Sequence, residues 1–74
     1  MFRGIVKAWD AKKGFGFIRP VGGEKDVFCH YSGIDPKYFS TKSKRNLQED
    51  QFVEFQIVPG AKGPIATNVR VVTP

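Results

Sequence analysis

Cysteine and histidine each occur once in this chain, as the neighbours Cys29 and His30, and acids are scarce, with 7 Asp and Glu against 12 Lys and Arg. A lone cysteine cannot close an internal disulfide, so a reducing, cytoplasmic setting is expected. Cys29 and His30 would point to opposite faces of a strand, which makes them poor joint ligands. With no second Cys or His, no metal site is expected. One histidine, no Ser-His-Asp set, no clustered carboxylates and no phosphate-cradling loop leave nothing on which to build an enzyme or a cofactor site. No apolar run reaches membrane length and no cationic, hydrophobic leader precedes the first strand, so neither membrane insertion nor export is expected. Helical periodicity, internal repeats and low-complexity segments are likewise missing. A chain of 74 residues has room for one domain with a thin core, taken as residues 1–74.

What the chain does have is aromatic residues, glycine turns and positive charge. Short runs that alternate in polarity are separated by Gly- and Pro-containing turns, which predicts five strands: about Phe2–Trp9, Phe15–Pro20, Asp26–Tyr31, Gln51–Val58 and Ile65–Val72. Asp10–Gly14, Val21–Lys25 and Pro59–Pro64 are the turns. Five short strands without helices suggest a small all-β barrel. The one long connection, about residues 32–50, is polar and carries Lys37, Lys42, Lys44 and Arg45 with no acid among them. A connection of this length is usually functional or mobile.

The second and third strands contain an anomaly. Alternation puts Phe15 and Phe17 on one face with Phe28 and His30, and leaves Ile18, Val27 and Cys29 on the other. The small domain needs the second set for its core, together with Val6, Val53, Phe55, Ile57, Val69 and Val71. Phe15, Phe17, Phe28 and His30 are then an exposed aromatic patch, the usual mark of a binding site. The net charge is +5, with Lys7, Lys12, Lys13 and Lys62 close to aromatics or glycine turns. Basic charge interleaved with aromatic faces suits single-stranded nucleic acid, a polyanion that also carries flat π-faces.

Lys13-Gly14-Phe15-Gly16-Phe17-Ile18 and Asp26-Val27-Phe28-Cys29-His30-Tyr31-Ser32-Gly33-Ile34 resemble the two ribonucleoprotein motifs of the cold-shock domain family. Gly4-Ile5-Val6-Lys7 is similar to the family's opening strand. Val53-Glu54-Phe55, Gly63-Pro64 and Ala66-Thr67-Asn68-Val69 are similar to its closing strands. The resemblance covers essentially the whole chain. It implies an all-β, five-stranded antiparallel OB-fold barrel that binds single-stranded RNA and DNA with low sequence preference. It also implies a nucleic-acid chaperone or regulator of transcription or translation. RNA-recognition-motif domains share Lys-Gly-Phe-Gly-Phe, but they need two helices and the opposite motif order.

Carried over residue by residue, the resemblance makes Phe15, Phe17, Phe28 and His30 the stacking centre, with Tyr31 at its edge. Alternation by itself would put Tyr31 on the Cys29 face. Lys7, Lys13 and Lys62 would meet phosphate or base oxygens, and Asp26 would accept a hydrogen bond from a base edge. Each stacked base is worth roughly 1–3 kcal/mol.

Three departures stand out. Where the family has Trp-Phe-Asn, this chain has Ala8-Trp9-Asp10, so Trp9 either supplies the lost platform surface from the next position, the reading favoured here, or packs at the barrel rim. The Asp10 carboxylate would repel a phosphate or read a base donor. Phe52 replaces a commonly polar residue, as a rim contact or a small dimer patch, so the expectation is a monomer with weak dimerisation as the alternative. The long connection is similar to that of the Y-box type. From it Phe39, with Tyr38 second, would complete the platform, and Lys42–Arg45 would clamp phosphate or stay solvated. The other functions open to this sequence are an OB-type translation or ribosome-associated RNA-binding factor, and a protein-interaction barrel.

Overall fold

The computed structural model describes residues 1–23, 25–35 and 47–72. Five strands follow in order: β1 (Phe2–Asp10), β2 (Phe15–Pro20), β3 (Val27–His30), β4 (Phe52–Gly60) and β5 (Gly63–Val71). A 3-10 turn, Tyr31–Gly33, follows β3. The strands close into a barrel in the order β1-β2-β3-β5-β4. Four of the pairings are antiparallel, as expected. The β3–β5 seam is parallel, with Phe28 beside Ile65. After β3 the next strand, β4, pairs with β1, and β5 then closes the barrel between β4 and β3.

Local chemistry explains the turns. Asp10 is an Asx turn residue: its Oδ1 accepts from the backbone N–H groups of Lys12 and Lys13, each at 3.0 Å. Gly14 then donates to the Asp10 carbonyl at 2.7 Å with φ +76°. The β4–β5 hairpin closes tightly, Gly60 pairing with Gly63 across Ala61 and Lys62.

Two β-bulges decide which residues face inward. Between Val6 and Ala8 the β1–β2 register slips, so Lys7 is the extra residue. Between Glu54 and Gln56 the β4–β5 register slips around Asn68, whose φ is +51°. A bulge adds one residue to one strand and so reverses the parity beyond it. Hence Ala66 and Val69, three apart, are both buried.

The buried set is Val6, Ile18, Val27, Cys29, Ile34, Leu47, Val53, Phe55, Ala66 and Val69. Seven of the expected core residues belong to it, and Ile57 and Val71 pack against it half-buried. Ile34, Leu47 and Ala66 are additions. Ile34 bridges to Val69 from the connection after β3, where strand alternation offers no guide. Burial pushes the Cys29 thiol up from its ordinary 9.0 to about 12, so it stays protonated and unreactive. Among the described residues no helix is long and apolar enough to cross a membrane.

Candidate nucleic-acid interface

The β2–β3 ladder builds the site. Phe15 pairs with His30, Phe17 with Phe28, and between them Gly16 with Cys29. Side chains of paired residues share a face, so two aromatic rungs stand on the outside while Gly16, Ile18, Val27 and Cys29 line the interior. The rings touch. Phe15 and Phe28 lie 5.6 Å apart between centroids at a 34° tilt. Phe17 meets Phe28 edge-on at 5.9 Å. Phe28 is therefore the central ring, half-buried by its neighbours, whereas Phe17 keeps 39% of its surface exposed.

Tyr31 joins this surface because β3 stops at His30 and the chain turns. Its ring lies 4.3 Å from that of His30 and is largely exposed. It rests on Gly14, where a Cβ would come within 2.6 Å of the ring. The Gly14 carbonyl accepts from the Tyr31 N–H at 2.8 Å. Alternation would have sent Tyr31 inward; the 3-10 turn removes that constraint.

His30 is held by its own loop. Its Nδ1 lies 2.8 Å from Ser32 Oγ and 3.2 Å from the Ser32 backbone nitrogen. A backbone N–H only donates, so Nδ1 is the acceptor in that bond. Beside it lies an open depression of about 350 Å³, lined by Ser32, Asp35, Ile65, Thr67 and Asn68 among others. Among the described residues His30 is the only ring on its wall.

Lys7 and Lys13 are exposed on the bulge and in the first turn, and Lys62 at the tip of the last hairpin. The parallel register that sets Ile65 beside Phe28 carries this tip towards the Asp26 end of the platform. Lys13 marks the Tyr31 end. Positive charge thus borders both ends of the aromatic row.

Several expectations need correction. Trp9 pairs with Gly16 rather than with an aromatic rung, and packs half-buried against the core. A Cβ on Gly16 would come within 2.6 Å of the indole, so the missing side chain is what admits it. The cause is the Lys7 bulge, which turns Ala8 outward opposite Phe17 and Trp9 to the interior side. Of the two readings of Trp9, the structure adopts rim packing. The Asp10 carboxylate is taken up by its own turn. The expectation for Asp26 is not overturned; its Oδ1 accepts from Arg19 Nε at 2.8 Å. Phe52, expected as a rim contact or a small dimer patch, pairs with Ile5 across the β1–β4 ladder. Phe39, Tyr38 and the Lys37–Arg45 run lie outside the described residues.

Arg19 shares the parity of Phe15 and Phe17 on β2 and is exposed.

Comparison with known proteins agrees with this geometry. The family model described as 'Cold-shock' DNA-binding domain matches residues 2–72. Cold shock-like protein CspE of Buchnera aphidicola is 52% identical over 67 residues, covering 90% of each chain. Cold shock-like protein CspB of Yersinia pestis is 53% identical over 66 residues, covering 89% of this chain and 87% of its own. A solved structure, drosophila Unr CSD456, superposes with a TM-score of 0.73 at 20% identity, covering 99% of this chain and 27% of that one, which is a likeness of fold. The family is a non-enzymatic family of nucleic-acid-binding domains. With its barrel, its motifs in order and a match over nearly its full length, this chain belongs to the cold-shock domain family.

Proposed function

We propose that this protein binds single-stranded RNA and DNA by stacking successive bases on Phe15, Phe17, Phe28, His30 and Tyr31, with Lys7, Lys13 and Lys62 meeting the backbone. The observation that carries this reading is the continuous outward aromatic row of β2 and β3. A domain with so thin a core leaves its rings outside only if something else covers them. Every base has a π-face, so the row tolerates most sequences. Stacks of roughly 1–3 kcal/mol each, less the cost of association and of ordering the strand, put the affinity in the micromolar to nanomolar range. A protein with this property holds messages open as a monomeric chaperone, and through that regulates translation or transcription termination.

The test is fluorescence anisotropy of a labelled oligothymidine, with its duplex as competitor. Single strands should bind and the duplex should compete weakly. Equal affinity for duplex would replace this reading with that of a factor for structured RNA.

A further inference from the structure

The β2–β3 ladder does not end at the second aromatic rung. Just past its last pair, Ile18 with Val27, stand Arg19 of β2 and Asp26, the residue before β3, joined by the 2.8 Å bond from Nε to Oδ1. Residues two apart on a strand are about 6.6 Å apart and share a face. Arg19 therefore continues the row Phe15, Phe17 with the same spacing, and Ile5 of β1 pairs with it on the other side. The pair is open to solvent, the two side chains being 47% and 34% exposed. An exposed ion pair of this kind contributes little to stability, so holding the fold does not account for it.

We infer that Arg19 is a third rung of the binding surface, with Asp26 as its positioning residue. This rests on the proposed single-strand binding and extends it. A guanidinium is planar and stacks on aromatic faces, as the rings before it do. The bond to Asp26 uses one of its five N–H donors and restrains the plane. The other four can donate to an oxygen of the same nucleotide, and a phosphate is the acceptor that suits a forked cation. Asp26 alone at this end would repel the strand. Its charge is offset by Arg19, and Lys62 adds a second cation from the hairpin tip. The outcome is a footprint one nucleotide longer than the aromatic rings provide, on the side away from Tyr31.

The experiment measures the affinity of oligothymidines of increasing length for the wild-type chain and for Arg19→Gln, Arg19→Lys, Asp26→Asn and the Arg19→Gln/Asp26→Asn double variant. These residues are exposed, so thermal unfolding of each variant should stay close to wild type. The shortest oligonucleotides should bind wild type and Arg19→Gln alike. Those long enough to reach the third rung should bind Arg19→Gln roughly tenfold more weakly, within the range of one lost stack. The slope of log affinity against log salt should fall by about 0.7, one phosphate contact. Arg19→Lys should keep the slope but lose part of the affinity. The double variant should recover part of the loss, because the bare carboxylate is gone. Asp26→Asn should weaken binding less than about threefold and leave base preference unchanged.

The inference is overturned if Arg19→Gln binds every length like wild type, or if Asp26→Asn costs more than Arg19→Gln and shifts base preference. The second result would mean that Asp26 reads the base itself. Wild-type protein that binds no single strand of any length would refute the proposed function and this extension with it, whereas intact binding without the length-dependent loss refutes the extension alone.

Discussion

Replacing Phe28 with alanine tests the platform at its centre. Phe28 contacts both Phe15 and Phe17, at 5.6 and 5.9 Å, while Phe17, among the described rings, contacts Phe28 alone and is 39% exposed. A base stacked on either ring loses roughly 1–3 kcal/mol on truncation, or about 5- to 150-fold in affinity. Phe28→Ala also releases the two rings that it holds in place, so its loss should sit near the top of that range, roughly 100-fold. Phe17→Ala should sit lower, near tenfold. Stability should follow the same order. Two ring contacts at about 0.5–1.5 kcal/mol each put Phe28→Ala at about 1–3 kcal/mol, and one contact puts Phe17→Ala at about half of that. A domain this small has only a few kcal/mol in reserve, so urea unfolding in the cold must accompany the anisotropy titration. Phe28→Leu, which keeps apolar bulk without a π-face, separates the effects: binding should fall while stability changes by less than about 1.5 kcal/mol. Folded Phe17→Ala and Phe28→Leu proteins that bind oligothymidine like wild type would refute the stacking argument. A Phe17→Ala loss larger than that of Phe28→Ala would refute the account of Phe28 as the central ring.

Trp9 lies on the core side, so Trp9→Phe should keep oligothymidine affinity within about threefold while lowering the urea midpoint; a loss as large as that of Phe17→Ala would return Trp9 to the platform. Alanine at Gly16 would drive a Cβ into the Ala8 carbonyl and to 2.6 Å from the indole, so Gly16→Ala should cost at least about 1–3 kcal/mol by thermal unfolding, and a stability equal to wild type would contradict the close approach of β1 and β2. Cys29 is held neutral up to about 12 in the folded chain against an ordinary 9.0, so the unfolded chain loses this proton first. Stability should be unaffected below about pH 9 and fall by about 1.4 kcal/mol per pH unit between there and about pH 12. Cys29→Val should lack that part of the alkaline loss, and equal alkaline slopes for the two proteins would count against it. Removing Lys7, Lys13 or Lys62 singly should lower the slope of log affinity against log salt by about 0.7 each, read from anisotropy titrations at several salt concentrations; an unchanged slope would mark that lysine as plain solvated surface.

Much of this protein follows from strand parity. Phe15, Phe17, Phe28 and His30 share a face in any β-structure, and a domain short of apolar residues must turn Ile18, Val27 and Cys29 inward instead. The turn residues Asp10, Gly14, Gly60 and Gly63 mark the strand ends because their backbone and side-chain chemistry is local. The barrel and the centre of the site were legible for that reason. What escaped were features set by residues distant in the chain. A bulge at Lys7 answers to how β1 meets both β2 and β4, and it moved Trp9 from the platform to the core side. The bulge at Asn68 moved Ala66 into the core beside Val69. The 3-10 turn after His30 brought Tyr31 out over Gly14, against alternation. The parallel β3–β5 seam and the Arg19–Asp26 pair exist only once the strands have found their partners. Sequence alone determined that Phe15, Phe17, Phe28 and His30 face outward and that Ile18, Val27 and Cys29 are core, since that depends on a two-residue period and a scarcity of apolar residues. Tertiary structure decided where the row of rings begins and ends, because register and bulges are settled by strands that meet across the barrel.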